Sequence, residues 1–374
     1  MPVPDDRLKI KSFSIEGFRS IKRLENFAAS DINVMIGTNG AGKSNLIAFF
    51  RLLSFALKSP TNFQNHLNQL GRGSGILHLG PKTTQSFAGK IAIETKRGNN
   101  EYEFRLALKG REDLIYMHEA VRFTNPSIST STVPWKDIGV MGAQSALATH
   151  SSTNTTVKVI ASIFKNIYTY QFHDTSPFAE IRQSWQIADG RYLRESGSNL
   201  GSFLYNLKEN YNDHYLRLVE YIREVLHTFD DFILLPLGER IELQWLEKNS
   251  EYVFTAYQAS DGTLRFFALV ALLAQPPELL SKIMFVDEPE LGLHPAAIEF
   301  VAGLIKKASA HSQMFISTQS PDMVSQFEPE DVIVVEKKGH ESTFKRLQLA
   351  ELEGWLEEYS LGQIWAMNIV GGQY

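Results

Sequence analysis

"GTNGAGKS", Gly37 to Ser44, fits the spacing G-x-x-x-x-G-K-S. The apolar run "DINVMIG" before it reads as a strand, and "KSNLIAFFRLLSFAL" after it reads as a helix that is apolar on most faces and hence buried. In that setting a glycine-rich loop turns its backbone N–H groups around an anion, and the helix N-terminus adds partial positive charge. A chance match to this pattern in a chain of such length is roughly a 1% event from ordinary residue frequencies, and the strand–helix context lowers it further. The backbone N–H groups of the loop are therefore expected to surround a β-phosphate. Lys43 is expected on the β- and γ-phosphates, and the Ser44 hydroxyl on Mg²⁺.

A phosphate loop needs a metal carboxylate, and "IMFVDEPE" supplies one. Four apolar residues form a buried strand that ends at Asp287, placed to hold Mg²⁺ through water. Glu288 follows, placed to orient or deprotonate the attacking water. Upstream, "SDGTLRFF" opens a helix at Thr263. Ser260 offers a hydroxyl, Gly262 lets backbone N–H groups approach, and the positive helix end can face a γ-phosphate. A phosphate loop of this kind leaves one face of that phosphate open, so the reading is that Ser260 closes the site of a second molecule. The plainer reading, that Ser260 or Asp261 caps its own helix, is compatible with it.

The remaining sequence alternates between two styles. "LKIKSFSI" reads as a strand, and "AGKIAIETKRGNNEYEFRLAL" and "IELQWLEKNSEYVFTAY" read as hairpins. Lys58 to Phe87 is punctuated by Gly and Pro and reads as loop, as does the Ser- and Thr-rich stretch Asn125 to Thr156. "IYTYQFHD" reads as a strand. "NDHYLRLVEYIREVLHTF" carries an apolar stripe and a cap near Asn212 or Asp213. "KIMFVD", a helix from Pro295, "QMFIST" and "DVIVVE" alternate strand and helix, which argues for a parallel sheet.

Composition narrows the setting. The 374 residues include no Cys, so disulfides and thiolate metal sites are excluded. "MPVPDDRLKI" lacks the apolar stretch of a signal peptide, and the longest apolar run, Phe266 to Ala274, is too short to span a bilayer. A cytoplasmic protein without membrane contact is expected. Net charge is -5, yet no acidic residue lies between Asp31 and Glu94, where Lys43, Arg51, Lys58, Arg72, Lys82 and Lys90 fall. Part of that interval could face a polyanion.

Together these motifs resemble the ABC-type ATPases of the SMC, RecF and OLD-like group, P-loop proteins of bacterial DNA repair and anti-phage defence. "SIEGFRSIKRL" is similar to their first strand and turn. "GTNGAGKSN", "SDGTLRF", "DEPELGLHP" and "ISTQSP" resemble, in order, their Walker A, signature, Walker B with D-loop, and switch motifs. The likeness covers roughly residues 8–60 and 170–370. It implies an α/β P-loop NTPase, an ABC-type head with an antiparallel β-subdomain and a helical lobe. It implies an ATP-sandwiched homodimer, open to higher oligomers, in which Ser260, Asp261 and Gly262 meet the opposite ATP. Leu293 and His294 would lie in the D-loop at the dimer seam. Gly37, Asn39, Gly40, Ala41, Gly42, Lys43, Ser44 and Asn45 would bind ATP, Lys43, Glu288 and Gln319 would form the catalytic set, and Ser44 and Asp287 would hold Mg²⁺. A Q-loop glutamine is implied as well, and either Gln171 or His173 could serve, both on one face of the strand as read.

Two departures carry consequences. Asp261 stands where the family usually has Gly, and its carboxylate should turn away from a γ-phosphate. Gln319 stands where a switch His is common, and an amide cannot carry a proton charge, so slow hydrolysis is expected. The expected divisions are an ATPase core part with Walker A over 1–60, a β-subdomain over 61–170 and a helical lobe with hairpin over 171–258. The second core part then covers 259–345, and a tail 346–374. No long heptad run links the motifs, and the stretch beyond Gln319 is too short for the nuclease domain that OLD-type proteins append. "IAIETK" lacks the preceding acid of a nuclease site. The expected role is an ATPase that senses or processes nucleic acid and controls a separately encoded effector. A repair ATPase acting on DNA directly and a transporter's nucleotide-binding subunit are the alternatives. The aromatic tail is either core packing or a docking surface for that effector.

Overall fold

In the computed structural model, residues 8–125, 133–149 and 154–373 are described. The chain divides into two compact units that interleave in sequence: 1–168 with 329–351 and 368–374, and 169–328 with 352–367.

The first unit is built on an antiparallel sheet. Its strands run in the order Ile21–Ala28, Lys9–Phe18, Ser86–Thr95, Gly98–Lys109, Asp113–Thr124, Lys136–Gly139. Alternation along Lys9–Phe18 and Ser86–Thr95 sends Phe13, Ile15, Phe87, Ile91 and Ile93 to the buried face. The helix Lys43–Lys58 packs there through Phe49 and Phe50, whose rings stand 5.5 Å from Phe18 and 5.2 Å from Phe13. A second, smaller ladder pairs the strand Ile32–Ile36 in parallel with Val332–Lys338, which turns back as Glu341–Arg346.

The second unit carries a parallel pair, Ile283–Asp287 with Gln313–Ser317, joined by the helix Pro295–Ala308. Both strands are buried apolar runs, as expected of a parallel sheet covered on its faces. The helices Leu200–Asn210, Asn212–Val225 and Asp261–Ala274 and a short antiparallel sheet complete it. Phe229, Phe232 and Trp245 from that sheet surround Phe267 at 5.0–5.6 Å between ring centroids. Among the described residues, no helix is long and apolar enough to cross a membrane.

Several expectations are corrected. Lys58 to Phe87 is not one loop: it contains the helices Phe63–Gln69 and Arg72–Ile76, fixed by burial of Phe63, Leu67 and Ile76. Their shortness and glycines hide the periodicity. The stretch Asn125 to Thr156 contains the strand Lys136–Gly139 and the helix Ala146–Thr149, while 126–132 and 150–153 lie outside the described residues. The helix Thr155–Lys165 begins at the end of that expected loop and continues through residues for which the sequence reading names no element. Asn154 accepts from the N–H of Thr156 at 2.9 Å as its cap, and Val157, Ile160, Ala161 and Phe164 form its buried stripe. The helix Asn212–Val225 has Tyr211 at its N-cap and no side-chain cap, so neither Asn212 nor Asp213 caps it. The strand at Ile167 ends at Tyr170, so Gln171 and His173 lie beyond it and share no strand face.

Candidate active site

The phosphate loop joins the strand Ile32–Ile36 to the helix Lys43–Lys58, and Lys43 sits on the first helical turn. Lys43 is 6% exposed, and its ammonium donates to the carbonyls of Gly37 and of Thr38, the latter at 3.3 Å. It is thus folded over the loop, while the Ser44 side chain is exposed. The loop is braced from far along the chain. Ser342, on the strand Glu341–Arg346, donates to the Ala41 carbonyl, and Asn45 Nδ2 donates to Ser20 Oγ at 2.6 Å. A Cβ on Gly42 would lie 2.1 Å from Ser342 Oγ, so the brace requires glycine there.

In the second unit the acidic residues converge with polar partners. Asp287, half-buried at its strand end, accepts from Ser317 Oγ on one oxygen and from Gln171 Nε2 at 2.8 Å on the other. His173 Nε2 instead meets the Asp287 carbonyl, at 3.1 Å. Gln171 is therefore the Q-loop candidate that touches the carboxylate. Glu288 has φ 47°, an unusual left-handed backbone for a non-glycine residue. Its N–H donates to the Ser317 carbonyl at 2.9 Å, and its carboxylate accepts from Gln319 Nε2. Glu290 holds the other side of Gln319: it accepts from the Gln319 N–H at 2.9 Å and from Thr318 Oγ1 at 2.6 Å. Burial pushes the Glu290 carboxyl above the usual range, against the downward pull of those donors.

The donor types suit a hard cation. Asp287 offers only carboxylate oxygen, Ser44 only a hydroxyl, and no cluster of three or more acidic or imidazole ligands occurs among the described residues. Mg²⁺ bound by one carboxylate and substrate phosphates needs no such cluster.

Ser260 does cap its own helix: its Oγ accepts from the Thr263 N–H at 3.1 Å. Asp261 does not cap. Its carboxylate pairs with Arg182 Nη2 at 3.0 Å. Gly262 has a packing reason to be glycine, since a Cβ there would lie 2.4 Å from the Gly292 carbonyl. Leu293 N–H donates to the Glu290 carbonyl at 3.0 Å, and the exposed His294 caps the helix Pro295–Ala308 through a long 3.4 Å contact from Ala296 N–H. Arg265 joins these segments: it donates to the carbonyls of Phe172 at 3.0 Å and His173 at 2.9 Å, and to that of Leu291 at 3.4 Å. Reading the sequence does not single out Ser20, Ser342, Arg182, Arg265, Glu290 or Ser317. Ser20, Arg265, Glu290 and Ser317 lie inside the quoted motifs and so carry a signal that could find them, whereas Arg182 and Ser342 do not.

A family model described as "AAA domain, putative AbiEii toxin, Type IV TA system" matches residues 147–325. An energy-coupling factor transporter ATP-binding protein, EcfA2, of Staphylococcus epidermidis is 35% identical over 83 residues, 22% of this chain and 28% of that protein. The chain thus spans less than a third of the length of the curated relatives it matches. An SMC head bound to the C-terminal winged-helix domain of ScpA superposes with a TM-score of 0.61 at 16% identity, covering 92% of this chain and 99% of that one. The SMC head of Pyrococcus furiosus, with an extended coiled coil and bound to the C-terminal domain of ScpA, gives 0.55 at 16%, covering 94% and 99%. The solved structures show that the chain has the α/β fold of the SMC heads, and with the motif order and the geometry at Lys43, Asp287 and Glu288 these likenesses support an ABC-type P-loop ATPase.

Proposed function

We propose that the chain is a Mg²⁺-dependent ATPase whose ATP-sandwiched dimer senses or processes nucleic acid and controls a separately encoded effector nuclease in anti-phage defence. The observation that carries the hydrolytic reading is the grip of Gln319 on Glu288 beside Asp287, itself held by Gln171 and Ser317. In this mechanism the loop N–H groups and Lys43 bind the β- and γ-phosphates. Ser44 and Asp287 are the residues that would hold Mg²⁺, which would supply charge neutralisation on those phosphates. Glu288 orients the water and accepts its proton, and Gln319 keeps the Glu288 carboxylate aimed. The Ser260 helix end closes the partner's γ-phosphate. Because Gln319 is a neutral amide, turnover is slow and nucleotide occupancy is the signal. Support for the defence setting is the toxin–antitoxin description of the matching family model.

Glu288→Gln tests this reading. Loss of the base should slow hydrolysis by about 10²–10⁴-fold with ATP still bound. The trapped chain, pulled from native cells, should bring down a nuclease or nucleic acid. The EcfA2 likeness favours a second reading, a transporter's ATP-binding subunit, and recovery of a membrane permease instead would establish it over the first.

Nucleic-acid contact is proposed for part of the acid-free interval. Lys58 donates to the Ile167 carbonyl at 2.9 Å and Lys90 lies 4.0 Å from Glu101, so both serve the fold. Arg72 and Lys82 are exposed. Charge reversal at both should weaken DNA binding and reduce its salt slope by about one unit for each phosphate no longer neutralised. An unchanged slope returns them to ordinary surface.

A further inference from the structure

The aromatic stretch after Glu351 divides by burial. Leu352, Leu361, Ile364 and Trp365 are buried and supply its share of the core. Trp355 and Tyr359 do not: they are 44% and 36% exposed. Their ring centroids stand 6.1 Å apart, one helical turn from each other, and the Tyr359 N–H donates to the Trp355 carbonyl at 2.9 Å. The segment that follows is held fast. The helix Leu361–Ala366 packs so closely on the helix Pro321–Val324 that a Cβ on Gly362 would lie 1.9 Å from the Pro321 carbonyl. The Gly362 N–H donates to Ser325 Oγ at 3.2 Å, and that oxygen lies 3.1 Å from Ser360 Oγ. Residues 319–328 and 352–367 carry Asp322, Glu328, Glu353, Glu357 and Glu358 and no Lys, Arg or His. These carboxylates are exposed, and none of them forms an ion pair among the described residues. Lys306, from the neighbouring helix Pro295–Ala308, is taken up by the Phe327 ring at 5.6 Å.

We infer that Trp355 and Tyr359 form a docking face for an arginine-bearing segment of a partner protein. Single exposed aromatics are ordinary on a protein surface. Here two rings in contact are left out of a core that their neighbours fill, and charge decides what they receive. Glu353, Glu357 and Glu358 flank the rings in the chain, so phosphate backbones and acidic lipid surfaces are repelled and cations attracted. A cation over an indole or phenol ring gains further from the negative ring face. Arginine suits both parts of the surface: its planar guanidinium stacks on an aromatic face, and its fork of donors matches a carboxylate, whereas a lysine ammonium is a strongly hydrated point charge. A second copy docked through the same face would set the same carboxylates against each other, because a two-fold contact pairs a patch with itself. The inference uses no residue of the nucleotide site, so it goes beyond the ATPase reading and stands or falls apart from it.

The experiment titrates the full chain, without nucleotide, with two dye-labelled peptides, one of alternating glycine and arginine and one of alternating glycine and lysine. Anisotropy reads affinity. Fluorine NMR of 5-fluorotryptophan-labelled chain reads the site, with the Trp355 signal identified by its loss in Trp355→Phe. The arginine peptide should shift that signal to saturation and bind about threefold or more tighter than the lysine peptide. Trp355→Ala should weaken the arginine peptide by about fivefold and remove its advantage over lysine. Glu353→Gln combined with Glu357→Gln and Glu358→Gln should weaken both peptides. Equal affinity for the two peptides, or an unmoved Trp355 signal, means diffuse charge attraction and overturns the docking face. So does wild-type affinity in Trp355→Ala. If Trp355→Ala fails to fold, Tyr359→Ala reads the same preference from the other ring: its loss supports the face and its retention overturns it. Two further outcomes name a different occupant and also overturn the inference. One is a fall in the sedimenting mass of the chain on Trp355→Ala without peptide, which assigns the face to a second copy. The other is a Trp355 shift produced by single-stranded DNA and not by the arginine peptide.

Discussion

Lys43→Ala is expected to abolish saturable ATP binding. The ammonium is the one charged group of the loop, buried to 6% exposure and held by the loop's own carbonyls at Gly37 and Thr38. Without it the phosphates meet only backbone N–H dipoles and the helix end, whose charge is about half a unit. The alanine also leaves those carbonyls short of a donor, so the loop loosens as the charge goes. A thermal melt separates the two effects. The brace through Ser342, Ser20 and Asn45 does not involve the Lys43 side chain, so the fold should melt cooperatively near the wild-type temperature. Nucleotide titration of that folded variant should show no saturation. Wild-type affinity in Lys43→Ala would remove the phosphate-loop assignment.

Mixing Ser260→Arg with Lys43→Ala should restore part of the ATPase activity that each variant lacks alone. Each pure dimer has two damaged sites. If Ser260 acts on the partner's nucleotide, a mixed dimer places both lesions in one composite site and leaves the other intact. A positive group supplied in trans is worth ~10³-fold or more in related phosphoryl transfer, so one restored site is measurable above the dead background. The capping bond from Thr263 N–H to Ser260 Oγ and the 2.8 Å contact of that oxygen with Thr263 Oγ1 do not preclude this, because the Thr263 hydroxyl can be the donor of the pair and leave the Ser260 hydrogen for the partner's nucleotide. The Ser260 side of the chain is exposed, as a group reaching a second molecule must be. If mixed dimers form and stay as inactive as the separate variants, Ser260 only caps its helix and the sandwich is wrong. Failure there with ATP binding intact leaves the phosphate loop standing, so the two experiments report on different halves of the proposal.

The sequence by itself determined the pieces whose physics is local. A strand, a glycine-rich turn and Lys43 on a first helical turn follow from an apolar run and the punctuation after it. Ser260 as a cap follows from Ser-Asp-Gly before an apolar helix. Asp287 at a strand end follows from four buried apolar residues and the turn beyond. Tertiary structure decided what depends on residues distant in the chain. Gln171 and His173 are indistinguishable as letters. The end of the strand at Tyr170 and a partner 116 positions away put the amide on the Asp287 carboxylate and the imidazole on its carbonyl. Asp261 looks like a liability beside a phosphate until Arg182, 79 positions earlier, accounts for its direction. The glycine at position 42 answers to Ser342, whose hydroxyl reaches the Ala41 carbonyl across 301 positions. The short helices at 63–76 gain their shape from burying Phe63, Leu67 and Ile76, because segments of that length have too few hydrogen bonds to hold a helix unaided. Local signals are set by backbone preference and periodicity within a few residues. Carboxylate partners, glycine close approaches and short packed helices are set by what the folded chain brings alongside, and no window of sequence contains that neighbour.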